Sequence, residues 1–109
     1  MINHDLVATM ASSTGMTRHA VLEAFRASTR NDMAQLRALV AAGAHGPASV
    51  QAHRITGACE MLGAAAAARA SRALEAAAND APESIASALA LLEHEVQLLD
   101  ACLGAPDVH

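Results

Sequence analysis

The sequence predicts an all-α fold: an antiparallel, up-down-up-down four-helix bundle, with room for a short extra helix at the N-terminus. Three observations predict it. Alanine, the best helix former, occurs 29 times in 109 residues, while aromatics make up 1% of the chain. Only three prolines and six glycines interrupt it, so long stretches carry no breaker. Apolar residues recur at helical spacing in several of those stretches. A sandwich or barrel needs β-branched and aromatic side chains to fill a pleated surface, and few are present. At 109 residues one compact core is expected. We read residues 1–109 as one domain, with a core over about 5–103 and a tail from 104 to 109.

In chain order, residues 5–10 predict a short helix capped near Asn3 and ended by Ser12-Ser13-Thr14-Gly15. Thr17 is an N-cap. Behind it Leu22, Phe25, Thr29, Met33, Leu36 and Val40 form one apolar stripe, and Gly43 and Gly46 mark its stop. Pro47 suits a first helical turn. Residues 47–62 bury Ala48, Ala52, Ile55, Cys59 and Leu62, and Gly63 breaks the chain. Residues 64–78 continue as an alanine helix with Ala70, Leu74 and Ala77 inward. Asn79-Asp80 is a turn, and Asp80 to Glu83 reads as a capping box around Pro82. The last helix carries Ile85, Leu89, Leu92, Val96, Leu99 and Leu103, a bundle seam, ended by Gly104 and Pro106.

Charge and motifs exclude several functions. Net charge is −4, and all seven basic residues are scattered arginines. No basic stripe is available for nucleic acid. Arg69 and Arg72 interrupt the alanine run, so no membrane span is expected. The first residues lack the features of a signal peptide. Cys59 and Cys102 make no redox or metal spacing, which suggests a reducing cytoplasm. We place Cys59 in the core and expect Cys102 to pack near the end of the last helix. His4, His19, His45, His94 and His109 read as solvated residues, with no i, i+4 metal pair among them.

His53 does not fit this pattern of core and solvent. At about 100° per residue it lies roughly 140° from the buried stripe of its own helix, and Gly57 lies almost opposite that stripe. A mid-helix glycine costs about 1 kcal/mol relative to alanine. Placed one turn after an exposed histidine, it removes the side chain that would shield the imidazole. Val50 and Met61 are apolar on the same outer face, beside Glu60, and make a dockable patch.

The run His53-Arg54-Ile55-Thr56-Gly57-Ala58-Cys59, followed by Met61-Leu62-Gly63-Ala64, resembles the signature of histidine-containing phosphotransfer (HPt) domains. Ala70, Ala73, Leu74 and Glu75 are similar to the family's next helix. The likeness spans about 5–103, with its specific motif within 53–64. It implies a four-helix bundle that carries phosphoryl groups between receiver-domain aspartates in bacterial two-component phosphorelays. By the motif, His53 is the phosphoacceptor and Gly57 the clearance residue. Glu75 falls where the family places a group that orients the imidazole through Nδ1, leaving Nε2 to attack. Thr56 departs from the family's usual Lys, and Arg54 offers a partial substitute. Val50, Arg54, Thr56, Gly57, Glu60 and Met61 form the expected receiver-docking face.

The resemblance further implies receiver domains and a hybrid sensor histidine kinase as partners, and no cofactor of its own. Mg²⁺ would belong to the receiver. It also implies a cytoplasmic monomer, either free-standing or at the cytoplasmic end of a membrane-bound kinase, with no nucleic acid and no direct membrane contact. No ATP-binding motif is seen. Two other readings remain at this stage. One is an adaptor that binds a receiver or kinase without chemistry, a reading that the missing Lys at Thr56 keeps open. The other is a helical bundle used only for assembly.

Overall fold

The structure, a computed structural model, describes residues 2–104. Among these it holds five helices and no strand: α1 (His4–Thr14), α2 (Arg18–Ala41), α3 (His45–Leu62), α4 (Ala65–Ala77) and α5 (Pro82–Gly104). Connections of two to four residues keep successive helices adjacent. α3 packs between α2 and α4, α5 packs on α4 and touches α2, and α1 lies against α2 and α3.

All five helices feed one apolar cluster. Its fully buried large side chains include Val7, Leu36, Ile55, Leu62, Leu74, Leu92 and Leu99. The buried filling of α3 and α4 is small: Ala48 and Ala52 of α3 and Ala67, Ala68 and Ala70 of α4 are all buried. Small residues let the two backbones approach. The Ser71 hydroxyl of α4 accordingly donates to the Ala52 carbonyl of α3 at 2.7 Å. Packing of the alanine stripes thus sets how closely side chains at the outer edge of this interface meet.

Local signals explain most helix ends. The Asn3 side chain accepts from the backbone N–H groups of Asp5 and Leu6, and Thr17 accepts from Ala20. Both satisfy donors that a helix start leaves unpaired. α1 ends at Gly15 and α3 at Gly63, each with φ 72° in the left-handed region that favours glycine.

Several expectations need correction. α1 runs through Ser12 and Ser13 to Thr14, because the Thr9 and Thr14 hydroxyls turn back onto the carbonyls of Asp5 and Met10 and leave the ladder intact. Gly46 is no stop. Gly43, with φ 70°, makes the turn alone, and α3 has begun by His45. The capping box at Asp80 does not form. α5 starts at Pro82, and the Ala81 carbonyl accepts from Ser84 and Ile85. Pro82 at the first helical position places Ser84, not Glu83, three residues beyond the cap. Cys102 is exposed. His45 is half-buried, with its Nδ1 against the Ala78 carbonyl. Pro106 and His109 lie outside the described residues.

Candidate functional site

The outer edge of the α3–α4 interface carries a short polar chain. His53, on α3, has a side chain that is 79% exposed. Its Nδ1 lies 2.9 Å from Oε1 of Glu75, which α4 supplies. The other carboxylate oxygen, Oε2, accepts from the Thr56 hydroxyl at 2.8 Å. Glu75 is half-buried, with 23% of its side chain exposed. Ser71 and Glu75 are one turn apart on α4. The close approach marked by Ser71 at Ala52 therefore also brings Glu75 to His53 and Thr56.

An ionised carboxylate only accepts hydrogen bonds. Paired with Glu75, Nδ1 must carry the proton. In the neutral ring Nε2 then keeps its lone pair. Gly57 leaves the ground beside the ring open: a Cβ added there meets no heavy atom within 4 Å. Val50 and Met61 are 66% and 59% exposed on the same outer face.

Thr56 is not on that face. It is 3% exposed, because position 56 lies only about 80° from the centre of the buried stripe. Its expected place among the docking residues is thereby corrected: its hydroxyl serves α4, not an incoming surface. Arg54 stands on the opposite flank, exposed, with Nη2 3.8 Å from the carboxylate of buried Asp32. Glu60 is exposed and paired with Arg72 of α4 at 3.2 Å. From the sequence alone neither Ser71 nor Asp32 stands out, and Arg72 does so only as a break in the alanine run. A serine on the inward face of an alanine helix, four residues before Glu75, was the available signal for Ser71. Cys59 is buried, and burial pushes its thiol up to about 11. That makes it a core residue and not a nucleophile.

The site is a surface and not a pocket. A cavity of about 280 Å³ lies between α2 and α5, and no residue of α3 lines it. Among the described residues no group of three or more His, Cys, Asp or Glu is placed to hold a metal ion. No described helix is long and apolar enough to cross a membrane.

A protein-family model, the Hpt domain, matches residues 20–102. The chain belongs to the HPt domain family. Neither a curated protein nor a solved structure gave a significant match. HPt domains act in two-component phosphorelays with receiver domains and histidine kinases, and they carry no cofactor of their own. The match begins within α2 and ends within α5, so it includes α3 and α4, which supply His53 and Glu75. α1 lies before it.

Proposed function

We propose that this HPt domain is a phosphorelay intermediate with His53 as phosphoacceptor. It takes a phosphoryl group from the aspartyl phosphate of one receiver and passes it to the aspartate of another. The observation that carries this reading is the exposed imidazole whose Nδ1 is held by Glu75 at 2.9 Å.

Nε2 attacks phosphorus as a Nε2–P bond forms and the acyl phosphate P–O bond breaks. The receiver's aspartate leaves as a carboxylate. Nδ1 keeps its proton, and Glu75 stabilises the positive charge that develops on the ring. The onward step reverses the roles: a receiver carboxylate attacks phosphorus, and neutral imidazole leaves. Phosphoryl transfer depends chiefly on position and charge stabilisation. The receiver contributes the aspartate and its Mg²⁺. Val50, Gly57, Glu60 and Met61 form the surface against which the receiver docks, with Arg54 at its edge.

The short connections between α2, α3, α4 and α5 support an up-down-up-down bundle within one domain. We further infer that the domain works as a cytoplasmic monomer in a bacterial system, in which a hybrid kinase carries one of the receivers.

Incubation with a receiver phosphorylated on its aspartate tests the reading. Label should pass to the HPt domain as an acid-labile, base-stable phosphate and be lost in His53→Gln. Label that persists in folded His53→Gln overturns the assignment. Receiver binding without transfer, unchanged by that substitution, would instead establish an adaptor.

A further inference from the structure

We propose that Thr56 is a positioning residue for the reacting imidazole, acting through Glu75. The proposal rests on the phosphoacceptor reading above.

Proton accounting carries it. The Thr56 hydroxyl has one proton and two acceptors within reach, the Ala52 carbonyl at 3.0 Å and Glu75 Oε2 at 2.8 Å. The Ala52 carbonyl is already served. It takes the helical N–H of Thr56 itself and the Ser71 hydroxyl at 2.7 Å. A carbonyl oxygen has two lone pairs, and both are engaged. The Thr56 proton therefore goes to Glu75, where the acceptor is charged and the bond stronger.

That bond decides the orientation of the carboxylate. A glutamate side chain has three rotatable bonds, and Glu75 is only half-buried, so packing alone leaves it several rotamers. Thr56 is the opposite: β-branched, helical and 3% exposed, and held to a narrow choice of χ1. With Oε2 tied to this fixed hydroxyl, Oε1 is presented to His53 Nδ1 at 2.9 Å. The chain from Thr56 through Glu75 to Nδ1 thus selects the tautomer in which Nε2 is the free nucleophile. Ser71 contributes by occupying the competing acceptor.

Nitrogen NMR of the His53 ring tests this in the unphosphorylated protein, with transfer from a phosphorylated receiver measured in parallel. Thr56→Val removes the hydroxyl at nearly constant shape. The ring should drift from the Nδ1–H tautomer toward the mixture of a free imidazole, and transfer should slow about threefold to tenfold. Thr56→Ser should restore both. In a Glu75→Ala background Thr56→Val should change neither. Circular dichroism verifies folding, and Thr56→Ala replaces the valine variant if that one does not fold. A folded Thr56→Val protein with unchanged tautomer and rate overturns the proposal. So does an effect of equal size in the Glu75→Ala background, which would mark a purely structural role. The tautomer is read without phosphate. A wild type that accepts no phosphoryl group would therefore overturn the phosphoacceptor reading, while the ring measurement still decides the role of Thr56.

Discussion

Gly57 shows how a single residue trades helix stability for access. Its backbone is helical, so glycine has no conformational duty there, and a Cβ would find open space. A helix-forming side chain at this position should therefore be accepted by the fold. Gly57→Leu is expected to raise stability by about 0.5–1 kcal/mol through helix propensity, measurable by thermal or urea unfolding. The same leucine stands one turn from His53 on the outer face and should slow transfer from a phosphorylated receiver. Normal transfer by the folded variant would show that clearance is not what this glycine provides. At neighbouring positions small differences of angle decide the role. Thr56 and Gly57 are adjacent in sequence, yet one is buried against α4 and the other bare to solvent.

At the scale of elements, the joint between α1 and α3 is the most constrained. Gly63 ends α3 in the left-handed region, and an added Cβ would lie 2.4 Å from the Cβ of Asn3. Asn3 also donates its backbone N–H to the Leu62 carbonyl at 2.6 Å and caps α1 with its side chain. One glycine thus serves as the stop of α3 and as the seat for the residue that caps α1. Gly63→Ala is expected to destabilise by about 1–2 kcal/mol from the left-handed backbone alone, and by more once Asn3 is displaced. Urea unfolding reads the loss, and amide exchange should show α1 loosening first. A variant as stable as the parent would mean that α1 does not sit where described. The α3–α4 pair is different in kind: its contact comes from alanine stripes, and its closeness is what delivers Glu75.

Across the whole molecule, α2 and α5 share the apolar core and are also bridged by ion pairs beside the cavity between them. Arg26 Nε donates to Asp100 at 3.0 Å, and Arg30 adds a contact at 3.2 Å. The Arg26 hydrogen bond, aided by Arg30, holds the Asp100 carboxyl below its ordinary value against a partial loss of hydration. A carboxylate with a depressed folded pKa adds stability above its unfolded value, about 3.9. That stability is lost as pH falls from there through the folded value. Asp100 and Arg26 are only partly buried and Arg30 is exposed, so the contribution is modest and screened by salt. Asp100→Asn should therefore flatten the loss of stability below about pH 4, seen as a smaller drop in Tm between neutral and acid buffer. An acid profile identical to the parent's would show that other carboxylates carry that dependence.

The sequence by itself determined that the chain is helical, where four of the five helices run, and that His53 faces outward with Gly57 beside it. These follow from periodicity, capping residues and breakers, which act within one helix and are readable in one dimension. The bond from His53 to Glu75 was named only through a family likeness. The burial of Thr56, the bond it gives to Glu75 and the part played by Ser71 were decided by the tertiary structure. They depend on the rotation and spacing of two helices against each other. Alanine stripes permit many such settings, and only the packed core selects one.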